Sequence, residues 1–134
     1  MVLTDELVDA LCKAAKDKSE KVGVDISFAI CDASGLPKAF RRYGEALVLS
    51  TTLVPGKAYT AAITQCKTKD VAAASSEGAP LMAIQTNDPR ITLVAGGYPF
   101  FIKGKIVGGL GVGGGTEEQA VSYTHLTLPT ILLV

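Results

Sequence analysis

The sequence predicts a single α+β domain in which helices pack on a central antiparallel sheet of about five strands. Apolar side chains recur at helical spacing in the first 21 residues, and Pro55 can occupy the first turn of a second helix, whereas elsewhere apolar side chains alternate or form short runs between turn residues. The β-prone runs occur in neighbouring blocks joined by turns, which favours hairpins over the strand–helix alternation of a parallel sheet.

The chain opens with a predicted helix and a predicted hairpin. Thr4 is the expected N-cap, two acidic residues follow it in the first turn, and leucine and alanine recur at helical spacing to about Lys21. Apolar and polar side chains then alternate over residues 24–32, as in a half-buried strand. The turn Asp32-Ala-Ser-Gly35 favours a chain reversal, so residues 36–43 form the second predicted strand.

The middle of the chain is predicted to be mainly helical. Pro55 suits the first turn of a helix that runs to about Gln65, because an N–H in that turn would have no intrahelical partner in any case. Two shorter helical stretches are expected at residues 71–75 and 78–84. The turn signal Asn87-Asp-Pro-Arg90 ends this region.

Three further strands and a last helix are predicted after that turn. Residues 91–95 form the first strand, and two apolar runs at residues 98–102 and 105–112 are joined by Lys103-Gly104, which predicts a tight hairpin. The segment Thr116-Glu-Glu-Gln119 has capping-box spacing, so a helix should begin there. The predicted element order is α-β-β-α-α-β-β-β-α.

The last strand runs into a cluster of glycines at Gly111, Gly113, Gly114 and Gly115. Glycine lets backbone approach a ligand or another chain closely. The run is therefore interpreted as part of a ligand-binding sheet edge, and a core strand under close backbone packing is the alternative. A Gly-x-Gly-x-x-Gly match beginning at Gly109 is rejected as a dinucleotide site, because that motif needs a following parallel strand with an acidic residue.

Composition excludes several classes of function. The 13 basic residues balance 13 acidic ones, which removes the electrostatic signature of a nucleic-acid binder. No apolar run approaches the roughly 18 residues of a membrane span, and the first residues show no signal peptide, so a cytoplasmic protein is expected. Cys12, Cys31 and Cys66 are odd in number and widely spaced, which favours reduced thiols over a disulfide framework or a zinc site.

Residues 121–134 are predicted to be a non-native tail that replaces a C-terminal helix, which leaves residues 1–120 as the domain. The stretch Val121-Ser-Tyr-Thr-His-Leu-Thr-Leu-Pro-Thr130 interrupts the helix, and its back-translation resembles a transposon adapter from sequencing libraries. A genuine C-terminal strand is the alternative. His125 is the chain's only histidine, so on this interpretation the domain has no histidine for catalysis or for binding metal or haem.

Five segments carry a family resemblance, and in chain order they are Ile30-Cys-Asp-Ala-Ser-Gly35, Ala39-Phe-Arg-Arg-Tyr-Gly-Glu-Ala46, Lys57-Ala-Tyr-Thr-Ala61, Gly96-Gly-Tyr-Pro99, and Gly104-Lys-Ile-Val-Gly-Gly-Leu-Gly-Val-Gly-Gly114 with Thr116-Glu-Glu-Gln119. In these segments the chain resembles the haem-binding HbpS/GlcG family, which includes the C-terminal domain of PduO corrinoid adenosyltransferases. The resemblance implies a profilin-like fold, assembly into dimers or larger rings, and binding of haem or a related tetrapyrrole near subunit contacts.

The candidate ligand-binding residues include cationic side chains, because guanidinium and ammonium groups pair with carboxylates such as haem propionates or small organic acids. Solvated strand arginines are the alternative for Arg41 and Arg42, and an ion pair to Glu45 or Glu117 is the alternative for Lys57. Arg90 is a further possible anion clamp. The full candidate set is Arg41, Lys57, Tyr59, Thr60, Gly96, Gly97, Gly113 and Gly114.

The sequence departs from the family pattern at the position of the axial haem ligand. Haem-binding members of that family place a histidine on the first helix, where this chain has Asp9-Ala-Leu-Cys12. Cys12 is the one candidate ligand there, since cysteine thiolate ligates haem iron in other proteins. A small core residue is the alternative role for a helix cysteine beside apolar neighbours.

The predicted function is a small-molecule or tetrapyrrole-binding module, for haem or a corrinoid, without catalysis. Ser34, Ser50 and Thr60 have no visible base partner, and no cysteine has a histidine to activate it. The alternative is an enzyme or accessory subunit in haem degradation or in glycolate or diol catabolism. The expected partners are a small-molecule ligand and further copies of the same chain, with no nucleic acid and no membrane.

Overall fold

Four antiparallel strands lie between helices in the computed structural model, which describes residues 3–114. The predicted capping box, the tail and His125 lie outside these residues. The elements are α1 (Asp5–Val22), β1 (Ser27–Asp32), β2 (Pro37–Arg42), α2 (Ser50–Thr64), α3 (Thr68–Ala74), α4 (Ile84–Asn87), β3 (Gly97–Ile102) and β4 (Lys105–Gly113).

The sheet order is β2-β1-β4-β3, and every neighbouring pair is antiparallel. Strands β1 and β4 each pair with a strand on both sides, so they form the centre of the sheet. The α+β class is confirmed. Within residues 3–114 the sheet has four strands rather than the predicted five or so.

Helix α1 covers one face of the sheet. Thr4 caps it by accepting a hydrogen bond from the Leu7 N–H at 3.1 Å, as the sequence predicts. Gly23 ends it in the left-handed conformation with φ of 71° and donates its N–H to the Ser19 carbonyl. The core beneath α1 is built from large apolar side chains, among them Leu11, Ile26, Phe28, Ile30, Phe100, Leu110 and Val112.

Helix α2 covers the other face, at unusually short range. Its small residues Ala58 and Ala62 pack with Val54 against Ala29 and Cys31 of β1. A Cβ added to Gly109 would clash with the carbonyl oxygen of Ala58, and one added to Gly111 would clash with that of Val54. The helix backbone therefore rests directly on the backbone of β4, which only glycine allows.

This packing corrects the interpretation of the glycine-rich run as a ligand-binding sheet edge. Strand β4 pairs with β1 on one side and with β3 on the other, so it lies inside the sheet. The alternative interpretation, a core strand under close backbone packing, is the one the structure bears out for Gly109 and Gly111. The hairpin is confirmed, and Lys103 and Gly104 both take positive φ, 51° and 78°, as a tight two-residue turn requires.

Helix α2 begins one turn earlier than predicted. Its first residue is Ser50, so Pro55 lies in the second turn and not in the first. Pro55 cannot donate to the carbonyl of Thr51, but both residues are exposed, so water can supply that hydrogen bond. The next residue, Gly56, allows the segment around Thr92 to approach the outer side of the helix.

The strand predicted at residues 91–95 is wrong. Ile91 packs with Tyr59 and Val71 instead, and the Thr92 N–H donates to Thr60 Oγ1 at 2.8 Å. Ile91 exchanges its other backbone hydrogen bonds with Asp88 and Gln85, so this segment is held by α2 and by the residues before it and is not part of the sheet. The short helices are also shifted from their predicted ranges, to Thr68–Ala74 and Ile84–Asn87.

Substituting Gly109→Ala tests the backbone contact between α2 and β4. The added methyl group meets a main-chain carbonyl that cannot rotate away, so we expect the free energy of unfolding to fall by about 3 kcal/mol or more in urea denaturation. Gly23→Ala is the control, because its positive φ is strained but nothing lies within 4 Å of the new methyl group. It should cost only about 1 kcal/mol, and equal losses in the two variants would contradict the proposed backbone contact.

Candidate functional site

The predicted ligand-binding residues fall into separate places. Arg41 and Cys12 lie together on the α1 face of the sheet. Lys57 lies on the α2 face near the end of β4 with Gly96, Gly97 and Gly113. The segment after α4 contacts Tyr59 and Thr60, and the backbone of Asp25 contacts Gly114. The candidate residues identified from the sequence therefore lie in several separate environments.

The group on the α1 face comprises Cys12, Arg41 and Tyr43, and we call it the α1-face cluster. Arg41 is the cross-strand partner of Phe28, so its side chain lies on the same face as the core beneath α1. The Arg41 guanidinium lies 5.8 Å from the centre of the Tyr43 ring. The Tyr43 hydroxyl donates to the Cys12 carbonyl at 2.8 Å, which ties the end of β2 to α1.

Sequence reasoning missed Tyr43. The signal was present, because Arg41 and Tyr43 are two residues apart and a strand places such residues on one face. What the sequence did not show is that this face meets the middle of α1.

The thiol of Cys12 is poorly suited to be a thiolate ligand. Burial raises its pKa, and the nearby Asp9 carboxylate acts in the same direction, whereas the Arg41 guanidinium opposes them. The net direction is upward, so the neutral thiol is favoured. Burial likewise raises the pKa of the Tyr43 hydroxyl, with further contributions from Cys12 and Asp17.

Arg42, the neighbour of Arg41, lies on the other face of the sheet, and its guanidinium has partners within the protein. Its Nε donates to the Ala46 carbonyl at 2.7 Å, and its guanidinium lies 3.6 Å from the Glu45 carboxylate. Arg41 thus lies on the face that α1 covers, and Arg42 lies on the face that α2 covers. The alternation along β2 predicted this division between the two faces.

Lys57 is the most buried charged side chain among the candidates, with only 6% of its surface exposed. Its ammonium group donates to the Val112 carbonyl at 3.0 Å, and burial lowers its pKa. The alternative ion pair to Glu45 is wrong, since Glu45 pairs with Arg42, and Glu117 lies outside the described residues. Lys57 therefore ties α2 to the end of β4.

The glycines around Lys57 are explained by close packing. Gly96 takes φ of 121°, and a Cβ there would lie 2.5 Å from the Val112 oxygen and 3.0 Å from the Lys57 ammonium. Gly97 donates its N–H to Thr68 Oγ1 at 2.9 Å. Gly113 is the cross-strand partner of Ser27, whose buried hydroxyl has no hydrogen-bond partner in the described part of the chain.

Tyr59 and Thr60 hold the segment after α4 against α2. The Tyr59 hydroxyl donates to the Asp88 carboxylate, and this hydrogen bond is the main cause that raises the pKa of Tyr59 and lowers that of Asp88. The Arg90 guanidinium stacks 4.1 Å from the centre of the Tyr59 ring and also pairs with Asp88. Thr60 is fully buried and accepts from the Thr92 N–H.

Gly114, the last candidate, takes φ of 117° and packs against the backbone of Asp25. Among residues 3–114, no group of three or more histidine, cysteine, aspartate and glutamate side chains is arranged to hold a metal ion. In the same part of the chain, no helix is both long enough and apolar enough to cross a membrane.

An exposed apolar run precedes α2. Leu47, Val48 and Leu49 are 65%, 72% and 57% exposed, respectively. Isolated apolar residues on a surface are ordinary, but three in succession are typical of a contact surface.

The chain is similar to proteins of a known family over all of the described residues. Residues 3–124 match the family model described as haem degrading protein HbpS-like. The chain belongs to the HbpS-like family. The family resemblance carried by the five sequence segments is thus confirmed.

Two relatives are similar over most of this chain. It is 34% identical over 110 residues to an uncharacterized 15.0 kDa protein from the dhaT-dhaS intergenic region of Citrobacter freundii. This alignment covers 81% of this chain and 78% of that protein. It is 30% identical over 132 residues to the corrinoid adenosyltransferase PduO of the same organism. That alignment covers 98% of this chain but only 39% of PduO, so the chain corresponds to part of that enzyme.

A solved structure of a PduOC:haem complex has the same fold. Its TM-score is 0.88 at 27% sequence identity, with 96% of this chain and 94% of that chain covered. The HbpS-like fold is therefore shared with a protein whose haem complex is known.

The buried ammonium group of Lys57 should make stability depend on pH. Its pKa is lower in the folded chain than the ordinary value of 10.5, so between these two values the unfolded chain binds more protons. The free energy of unfolding should therefore rise as pH increases through this window. In Lys57→Met this rise in the free energy of unfolding should be absent. Urea denaturation of both proteins at a series of alkaline pH values measures the difference. Parallel pH profiles for the two proteins would contradict the assignment.

Proposed function

We propose that this protein is a non-catalytic module that binds haem or a related tetrapyrrole on the α1 face of its sheet. The observation that carries the proposal is the match to the PduOC:haem complex over 96% of the chain. The α1-face cluster supports it, because a cationic side chain, an aromatic ring and a partly buried helix surface occur together there. Such a combination suits an amphipathic ring system with acidic substituents.

The residues of this cluster fit the edge of a haem better than its iron. Arg41 can pair with a propionate, and Tyr43 offers an apolar ring surface. Cys12 is the only sulfur or nitrogen ligand candidate of the cluster, and its raised pKa disfavours the thiolate form. We therefore propose that haem is held mainly through its periphery, without a thiolate bond to its iron.

The residues around Lys57 have a structural role in this proposal. They lie on the opposite face of the sheet, where α2 is packed against glycine backbone. A ligand on the α1 face cannot reach them through the sheet. Lys57, Gly96, Gly97 and Gly113 thus maintain the fold that presents the α1-face cluster.

Titration of the full chain with haem, followed by Soret absorbance, tests the proposal. We expect a saturable shift at one haem per chain, and Cys12→Ala should keep it because the thiol is not the axial ligand. Cys66→Ala, which removes an exposed thiol elsewhere, is the control. The absence of saturation in the wild-type chain would contradict haem binding, and loss of the shift in Cys12→Ala alone would make Cys12 the ligand.

Haem degradation is the second candidate function, favoured by the description of the family model. The two functions differ in whether haem is consumed. When the haem-loaded protein is given ascorbate and oxygen, a binding module should lose Soret absorbance no faster than free haem does. Accelerated loss with formation of a linear tetrapyrrole would support the enzyme instead.

We also propose that copies of this chain associate through the exposed run Leu47–Leu49. Removing these side chains from water would stabilise a contact by the hydrophobic effect. Sedimentation velocity should therefore show a species larger than a monomer, and Val48→Asp should shift it toward the monomer. Met82→Asp, at another exposed apolar residue, is the control. A wild-type chain that sediments as a monomer at all concentrations would contradict this proposal.

A further inference from the structure

Strand β2 carries two adjacent arginines whose surroundings differ. Arg42 is held by the Glu45 carboxylate and the Ala46 carbonyl. Arg41 lies on the opposite face, and within residues 3–114 it forms no ion pair with a carboxylate. The strand thus presents one neutralised guanidinium and one that is available to an acidic ligand.

Two contacts restrict where the Arg41 guanidinium can go. It lies over the Tyr43 ring, an arrangement in which the aromatic face attracts the cation. The ring is itself fixed, because its hydroxyl donates to the main chain of α1 at Cys12. A guanidinium held in this way loses less freedom when it pairs with a ligand than a free one does.

Acidic groups around the cluster limit what can bind. The negative charge of Asp9 raises the pKa of Cys12, and that of Asp17 raises the pKa of Tyr43. Carboxylates therefore face the cluster from α1, while Arg41 faces it from β2. An anionic group is therefore attracted at Arg41 and repelled along the acidic side of the helix. This polarity favours a ligand whose acidic groups are confined to one edge.

We infer that Arg41 selects tetrapyrroles with free carboxylate side chains over those whose side chains are amidated or esterified. The inference rests on the proposed haem site and names its ligand class. Haem carries two free propionates, and a guanidinium binds a carboxylate through two parallel hydrogen bonds. The peripheral side chains of cobalamin are amides, which offer no negative charge to this residue.

The test compares two ligands and two matched variants of the full chain. Affinities for haem and for haem dimethyl ester are measured by Soret titration in the wild-type chain, Arg41→Gln and Arg42→Gln. We expect the wild-type chain to prefer haem over the ester by about tenfold or more, since hydrogen bonds to charged groups are among the stronger ones. Arg41→Gln should abolish the preference, and Arg42→Gln should retain it.

The outcomes separate this inference from the proposed function. If both ligands bind the wild-type chain equally well, haem binding stands but Arg41 does not select by carboxylate. If Arg42→Gln loses the preference as fully as Arg41→Gln, net charge and not the position of Arg41 is responsible. If neither ligand binds the wild-type chain, the proposed function and this inference both fail. Arg41→Lys should recover part of the preference, because it restores the charge without the paired hydrogen bonds.

Discussion

The contact between the backbone of α2 and the backbone of β4 determines the layout of this domain. Val54 and Ala58 turn their carbonyls toward Gly111 and Gly109, at a distance that leaves no room for a Cβ atom. The helix is therefore closer to the sheet than side chains would allow. Because β4 pairs with both β1 and β3, this one contact positions α2 over the whole centre of the sheet.

The two faces of the sheet consequently differ in what they can bind. On the α2 face the glycines and small side chains are already used in packing, and the buried Lys57 ammonium joins α2 to the Val112 carbonyl. On the α1 face the core is made of large side chains, the edge strand β2 adds Arg41, and Tyr43, the residue after β2, lies beside α1. Long polar side chains at a sheet edge remain accessible, so the proposed ligand site belongs to this second face.

Local signals in the sequence predicted local structure well. The Thr4 cap and the Lys103-Gly104 turn act within a few residues, and the structure confirms both. The alternation along β1 divided its side chains correctly between two faces. The prediction of a half-buried strand is wrong, because helices cover both faces of the sheet and residues 27–31 are all buried. The start of α2 and the path of residues 91–95 depend on tertiary contacts instead. Gly56 and Thr60 make the outer side of α2 a better partner for the segment at Thr92 than a sheet edge, which neighbouring residues in the sequence do not reveal.

The candidate site was only partly predictable for the same reason. Arg41 could be identified as a possible anion partner and placed on one face of β2 from the sequence alone. The sequence could not show that Arg41 and Lys57 lie on opposite faces of the sheet, because their positions depend on which face each helix covers. The role of the glycines was likewise open until the sheet order showed that β4 is a central strand.

Nuclear magnetic resonance of the 15N-labelled chain with ferric haem tests most directly on which face the tetrapyrrole binds. The unpaired electrons of the iron broaden the signals of nearby amides, and zinc protoporphyrin serves as the diamagnetic reference. Binding on the α1 face predicts broadening at Cys12, Arg41 and Tyr43, with sharp signals retained at Lys57, Gly96 and Gly113. Broadening centred on Lys57 and the glycines, with the α1-face cluster unaffected, would contradict it.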